Sequence, residues 1–334
     1  MAHVIINSRK CIEIAEHIRI SGGVPEDRED PMPYSFPLPI AHNAWCAVVA
    51  ICHQTTPVVG TALSGSVNGV MLRGWDYLLQ KSIVEANRDP ALFTVEWLCA
   101  ATAQTLMCLY RDTEGLDTLN YPEERAMLLA DLGDFLDKHD WQSIHQAYLA
   151  SDGYIIKSDG FGIAQVLTQI KAYRDPVQKK LFFLLALMRN QGFWQYHDIV
   201  NLSSPVNYHE QRGHMRLGTV TIIDPELERK IRAKENISDQ DDIEIRFAVR
   251  RVIEFIAQLL DLTPSMMHYY FWNYFRNCCS RNEPHCSHCG PSCKLPDRYK
   301  TVQDQCIFAP VCTSAGLPAS TMYIEPRLDS TLWQ

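Results

Sequence analysis

The stretch CCSRNEPHCSHCGPSCKLPDRYKTVQDQCIFAPVC, residues 278–312, holds seven of the twelve cysteines in this chain of 334 residues. Thiolates this close in sequence are hard to pair as disulfides, but they suit one soft metal centre. The other five cysteines stand singly among apolar residues, which is typical of small core side chains. These five are Cys11, Cys46, Cys52, Cys99 and Cys108. The cysteine-rich segment therefore predicts a metal site.

Composition limits the class of protein and its compartment. With 46% hydrophobic residues and a net charge of −8, the chain has enough apolar residues for a large core and shows no general basic surface. A groove with a few phosphate contacts is still compatible with that charge. No run approaches the roughly 18 apolar residues of a membrane span, and the N-terminus lacks the features of a signal peptide. We therefore expect an intracellular, cytoplasmic protein with thiols and a metal site, and no membrane partner.

Most of the chain before the cysteine-rich segment has helical periodicity. The clearest helices cover Pro122–Lys138, with its proline and acids at the start, and Asp239–Leu260. Residues 1–18 read as a further amphipathic helix, and residues 64–74 as a glycine-bearing loop. Alternation typical of a strand is confined to Thr219–Asp224. The pattern predicts an all-α protein.

Four further motifs occur in a characteristic order. They are AVVAICHQTTP (47–57), ERAMLLADLG (124–133), QKKLFFLLALMRNQG (178–192) and PVNYHEQRGHMRLGTV (205–220). Together with the C-x6-C-x2-C spacing of Cys279, Cys286 and Cys289, they resemble the helix-hairpin-helix DNA glycosylases, the superfamily of endonuclease III. The resemblance implies an enzyme of DNA repair, an N-glycosyl hydrolase that flips a modified base out of DNA and excises it.

The same resemblance implies a two-lobed, all-α, helix-hairpin-helix glycosylase-like fold with a C-terminal cysteine-rich metal loop at residues 276–313. One lobe would combine residues 1–60 with 201–334. The other would comprise residues 61–200 and include a degenerate hairpin at 171–192. We expect the protein to be a monomer, with DNA as its partner.

Asn207 stands where the family carries its catalytic aspartate. A carboxylate beneath C1′ stabilises the cationic sugar of the transition state and can activate water, whereas an amide keeps the shape without the charge. Three interpretations remain open: the site is inactive, another group acts, or the residue is a trapping substitution. Asn207 also suits the N-cap of the following helix.

Lys179 and Lys180 follow the degenerate hairpin, at the position where bifunctional members of the family carry a Schiff-base lysine. With two adjacent lysines, at least one is expected to face solvent. Arg174–Val177 replace the hairpin glycines whose amides normally hold a DNA phosphate. This departure is similar to the archaeal 8-oxoguanine glycosylases and the queuosine-nucleotide glycosylases. The alternatives are therefore a nucleoside or nucleotide N-glycosylase of the queuosine-salvage type, or a catalytically dead nucleic-acid-binding protein.

Six residues are candidates for binding substrate. An aromatic ring beside a carboxylate can grip a flipped base by stacking and hydrogen bonding, and the other candidates are implied by the resemblance. The six are His53, Gln54, Trp75, Asp76, His209 and Arg212. The structural alternatives are a polar cluster that satisfies free helix carbonyls for the first two, and a core position for the tryptophan.

The resemblance implies a [4Fe–4S] cluster in the cysteine-rich segment. The implied ligands are Cys279, Cys286, Cys289 and Cys312, with Cys306 as the alternative for the third place. Zinc remains the alternative metal, because four cysteines with histidines nearby also suit a tetrahedral site.

Overall fold

The computed structural model describes residues 3–24, 32–58, 60–112, 114–286, 295, 297–299 and 305–328. These residues are mostly helical with little sheet, which confirms the predicted helical class. None of the helices in the described ranges combines the length and the apolarity that crossing a membrane requires.

The described residues form thirteen α-helices and four short strands. The helices are α1 (Ser8–Ile20), α2 (Leu38–Ala50), α3 (Gly74–Arg88), α4 (Val95–Cys99), α5 (Ala103–Leu109), α6 (Pro122–Lys138), α7 (His145–Ala150), α8 (Ile163–Leu167), α9 (Lys179–Asn190), α10 (Tyr208–Leu217), α11 (Pro225–Ala233), α12 (Asp239–Leu260) and α13 (Pro264–Asn277). The strands are β1 (Val4–Ile6), β2 (Ser64–Val67), β3 (Val70–Arg73) and β4 (Val220–Ile222). The bounds of α6 and α12 confirm the two clearest predictions from the sequence.

The chain divides into two compact units. The first combines Met1–Arg28 with Ser203–Ser330, and the second combines Glu29–Leu202 with Thr331–Gln334. Residues 29–60, which the sequence grouped with the C-terminal half, therefore belong to the second unit. The physical reason is that α2 is mostly apolar, and its residues 41–50 are all buried, with α3, α6 and α9 of that unit packed against it.

A small antiparallel sheet joins the two segments of the chain that make up the first unit. Strand β1 pairs with β4, and Ile5 lies opposite Thr221. The prediction of a helix from residue 1 is wrong for these first residues, because the helix begins only after Asn7, whose side chain accepts the Lys10 N–H at 3.1 Å. Helices α10 and α12 pack beside this sheet, and α13 packs against both helices.

The second unit contains a β-hairpin at residues 64–73, so the prediction of a glycine-bearing loop there is wrong. Strands β2 and β3 are antiparallel, and Asn68 and Gly69 form the turn between them with φ of +50° and +79°. Positive φ at both central residues is what the common two-residue hairpin turn requires. The base of the hairpin is attached to the end of α2 through the Leu63 N–H, which donates to Thr55 O at 2.9 Å.

Candidate functional site

Lys180 lies in the first turn of α9, and its side chain is fully buried within the second unit. Its Nζ donates to Ala50 O at 2.6 Å and lies 3.2 Å from His53 Nδ1. Ala50 is the last residue of α2, where carbonyl groups lack helical partners and the helix dipole favours a cation. The amine is therefore held between a helix end and an imidazole.

His53 is the second member of this cluster. Its ring is fully buried, and its Nε2 lies 2.9 Å from Glu124 Oε1, although the two are not aligned as a formed hydrogen bond. The Glu124 side chain, in the first turn of α6, is 23% exposed. His53 thus lies between a buried amine and a carboxylate that reaches the surface.

Arg125 fixes the backbone beside this histidine. Its guanidinium is buried, and it donates to Ile51 O, to His53 O at 2.7 Å and to Asn120 O at 2.7 Å. Carbonyl groups just beyond the end of α2 are therefore satisfied by a cation from α6, which limits the positions that the His53 ring can take.

Burial dominates the electrostatics of the cluster. It lowers the pKa of Lys180 from 10.5 to about 7; Lys179 and Arg125 act in the same direction, and Cys52 opposes them. Burial also lowers the pKa of His53 well below 6.5, with Lys180 adding to the effect. Near neutral pH the imidazole is therefore uncharged, and the lysine is divided between amine and ammonium.

Lys179 is buried as well, so the prediction that one of the two lysines faces solvent is wrong, but its contacts differ from those of Lys180. Its backbone N–H donates to Asp175 Oδ2 at 2.9 Å, and the Val177 N–H donates to Asp175 Oδ1 at 3.1 Å. Gln178 between them adopts a left-handed φ of +58°. The Asp175 carboxylate thus occupies the amino end of α9, the kind of position where backbone amides and the helix dipole otherwise bind a phosphate.

Asn207, in the first unit, is the N-cap of α10. Its side chain accepts the His209 N–H at 2.8 Å, and its own N–H donates to Glu210 Oε2 at 3.0 Å. The buried Glu210 also lies 2.7 Å from His268 Nδ1. The capping role that the sequence allowed is present, and the catalytic role of Asn207 stays a prediction.

His209 and Arg212 are held within the same unit. The Arg212 side chain is buried, with Nη2 2.9 Å from His209 Nδ1, and Nη1 donates to Glu325 Oε2 at 2.7 Å. Its Nε donates to Cys279 O at 2.8 Å. The guanidinium is thus tied to α10 and to the C-terminal part of the chain.

Gln54, Trp75 and Asp76 lie in the second unit. Gln54 is partly buried with a left-handed φ of +49°, and Asp76 lies in the first turn of α3. The Trp75 ring packs against Phe183 of α9, with the ring centroids 4.8 Å apart. The structure brings His53 together with Lys180, whereas Asn207 belongs to the other unit.

The cysteine-rich segment begins directly after α13. Arg216 Nη1 donates to Cys279 Sγ at 3.3 Å, and Cys312 Sγ donates to Arg216 O at 3.3 Å. Burial raises the pKa of Cys286 to about 12, and the thiols of Cys279, Cys306 and Cys312 add to that effect. These four thiols therefore share one neighbourhood.

Cys289, one of the implied ligands, lies outside the described residues. Within the part of the chain that is described, no group of three or more His, Cys, Asp or Glu side chains is arranged to hold a metal ion. The ten described cysteines form no disulfide. Among the five single cysteines, Cys108 is exposed, so the prediction of a core position is wrong for it. The [4Fe–4S] cluster and the zinc alternative both stay predictions.

Comparison with models of known protein families and with curated proteins finds no match to this chain.

Three residues of the site were missed in the sequence: Glu124, Arg125 and Asp175. Glu124 reads as an ordinary acid of a helix first turn, and Asp175 as a residue of the degenerate hairpin. Their positions in the sequence could have indicated them. Glu124 and Arg125 begin the motif at 124–133, and Asp175 lies four residues before Lys179.

Proposed function

We propose that the protein is an N-glycosylase that excises a modified base from DNA, with the amine of Lys180 as the attacking group once substrate binding opens the cluster that encloses it. The observation that carries this proposal is the contact between the buried Lys180 amine and the neutral imidazole of His53, at 3.2 Å. Lysines that act as nucleophiles are activated by burial and by neighbouring cations, and Lys180 has both.

The chemistry follows from the neutral form of the amine. Its lone pair attacks C1′ of the sugar, the bond from C1′ to the base breaks, and the base leaves with the bonding electrons. An amine that adds at C1′ also lessens the need for a carboxylate there, which accords with an amide at Asn207. The flipped base would be bound by stacking and by polar side chains, and Trp75, Asp76 and Gln54 are the candidates on the second unit.

A [4Fe–4S] cluster belongs to the same proposal. Cys279, Cys286 and Cys312 would hold it, with Cys306 as the remaining ligand in this proposal, because its thiol acts on Cys286 together with the other two. The donor set fits, since thiolates are the usual ligands of such clusters. The cluster would order the segment that Arg212 and Arg216 bind.

A nucleoside or nucleotide N-glycosylase is the second candidate. The observation that favours it is the Asp175 carboxylate at the amino end of α9. This anion accepts hydrogen bonds from the Val177 and Lys179 amides, which would otherwise be available to a phosphate. A substrate with few phosphates is less affected by that charge than duplex DNA is.

Lys180 also has a competing structural role, since its bond to Ala50 O satisfies a carbonyl at the end of α2. Borohydride trapping separates the two roles. The wild type, Lys180→Met and Lys179→Met are incubated with single- and double-stranded oligonucleotides carrying oxidised, alkylated or deaminated bases, and with the free nucleotides. Trapping in the wild type and in Lys179→Met, but not in Lys180→Met, supports the proposal. Equal trapping in all three, or none in any, contradicts it.

A further inference from the structure

The ammonium form of Lys180 needs a path for its proton. The Nζ atom is enclosed by the protein, so the proton cannot pass directly to bulk water. The hydrogen bonds of Nζ are to Ala50 O, which has no proton to exchange, and to His53 Nδ1. Any exchange through this cluster therefore begins at the imidazole.

We propose that His53 and Glu124 form a proton relay that carries the Lys180 proton to solvent. The heavy-atom separations along it are 3.2 Å from Nζ to Nδ1 and 2.9 Å from Nε2 to Oε1, both within the reach of proton transfer. The partly exposed Glu124 is the end that exchanges with water. The purpose of the relay rests on the proposed function, but the relay itself is a property of the protein without substrate.

The transfer balances without another reactant. Lys180 Nζ gives a proton to His53 Nδ1, and His53 Nε2 gives its own proton to Glu124 Oε1. The amine is left neutral, the imidazole remains neutral with its proton on the other nitrogen, and the carboxyl group releases its proton to water. A small rotation of the ring or of the carboxyl group supplies the alignment that the second pair lacks.

The charged groups around Lys180 act on it in both directions: Lys179 and Arg125 favour the amine, whereas the others favour the ammonium. The charged and titratable groups that act on Lys180 come from several segments: Cys52 beyond α2, Arg125 and Glu124 on α6, and Asp175 and Lys179 beside or at the start of α9. Arg125 donates to the His53 carbonyl and so fixes the backbone of His53, while the imidazole ring lies between Lys180 and Glu124. His53 is thus a positioning residue that acts through Lys180.

Nuclear magnetic resonance of protein labelled with ¹³C at lysine Cε tests the relay directly. The Lys180 signal, assigned with Lys180→Met, is followed against pH in the wild type and in Glu124→Gln, which keeps the size of the side chain without its charge. We expect a wild-type midpoint near pH 7. In Glu124→Gln we expect a lower midpoint, because an anion that favours the ammonium is lost, and proton exchange slower by about a hundredfold.

Glu123→Gln is the matched control, since Glu123 is exposed and adjacent on the same helix. It should leave both the midpoint and the exchange unchanged. His53→Gln keeps an acceptor near Lys180 but cannot carry a proton, and should slow exchange as Glu124→Gln does; should it fail to fold, Glu124→Gln alone decides. Unchanged exchange in Glu124→Gln, or a wild-type Lys180 that titrates near 10.5, overturns the relay. Because no substrate is used, this result is independent of whether the proposed glycosylase activity is found.

Discussion

The carboxylate of Asp175 accepts the backbone N–H of Lys179 at 2.9 Å, so an anion of the protein itself sits at the amino end of the helix that bears Lys180. Here the family that the sequence resembles uses a glycine hairpin to hold a DNA phosphate. The contact therefore bears directly on whether the substrate is a polymer.

Replacing this carboxylate should strengthen binding to DNA. In Asp175→Ala, the amides of Val177 and Lys179 become available to a phosphate, and a local negative charge is lost. We expect filter binding over a salt series to show tighter binding, with a slope steeper by about 0.9, the value for one added phosphate contact. Asp137→Ala, an exposed site on α6 with the same change of charge, is the control. Equal slopes in the two variants would contradict a role for this end of α9 in DNA binding.

Asn207→Asp should raise base release by about a hundredfold or more, the scale of one well-placed electrostatic group in a transition state. Affinity should change little, because the added charge acts on the cationic sugar that develops during cleavage. The fold should tolerate the change, since aspartate and asparagine are comparable N-caps. Asn207→Ala is the control and should lower the free energy of unfolding by about 1 kcal/mol without raising the rate. If Asn207→Asp leaves every modified DNA and nucleotide intact, that result favours the alternative of a nucleic-acid-binding protein without catalytic activity.

The two adjacent lysines should behave differently. In bifunctional enzymes the covalent lysine is needed for strand nicking, so Lys180→Met should abolish nicking, whereas Lys179→Met should retain most of it because only Lys180 contacts His53. Both variants are best made with Asn207→Asp, where base release and nicking are measured separately on one labelled oligonucleotide. The reverse outcome, with nicking lost only in Lys179→Met, would assign the nucleophile to the other lysine.

The lowered pKa of Lys180 predicts how stability depends on pH. The pKa of Lys180 is about 7 in the folded protein and about 10.5 in the unfolded chain. Between these two pH values, the unfolded state therefore binds more protons at this site. The free energy of unfolding should therefore rise with pH across this window, by up to about 1.4 kcal/mol per pH unit from this group. Urea unfolding at several pH values should show this contribution in the wild type and its loss in Lys180→Met. Lys138→Met, an exposed site, should keep it.

Purified protein should be brown and contain iron if the cluster forms. Cys306→Ser should then lose colour and iron, because the Cys306 thiol shares the neighbourhood of Cys286. Cys108→Ser, at an exposed site in the second unit, serves as the control for handling and oxidation. A colourless wild type with stoichiometric zinc would replace the cluster with a zinc site, and iron loss in Cys289→Ser alone would restore the ligand set implied by the resemblance.

Local signals in the sequence were sufficient for the regular helices. Proline at the first position and acids in the first turn define the start of α6 at Pro122, and the structure confirms the whole helix. The hairpin was missed although Asn68–Gly69 is a strong turn signal, because the flanking strands are only four residues long and alternate weakly. The first strand was missed for another reason: β1 depends on pairing with β4, more than two hundred residues away.

The site was predictable only in part. The motifs led to His53 and to the lysine pair, but nothing in the sequence tells Lys179 from Lys180. That distinction comes from the end of α2, where Ala50 O and the His53 ring contact Lys180. The role of Glu124 could not be predicted for the same reason. It depends on the contact with His53, which is 71 positions away in the chain, and not on the local sequence pattern.

The first unit is closed by contacts between residues that are far apart in the chain. Strand β1 pairs with β4, and Arg212 meets Glu325, so elements near both ends of the chain must be present before the unit is complete. The second unit is nearly continuous in sequence. On the ribosome, domains generally fold as units in the order of synthesis. The second unit, which carries Lys180, can therefore fold before residue 325 is translated, whereas the first unit cannot be completed until then. A chain that is truncated before Glu325 should contain a folded second unit and an incomplete first unit.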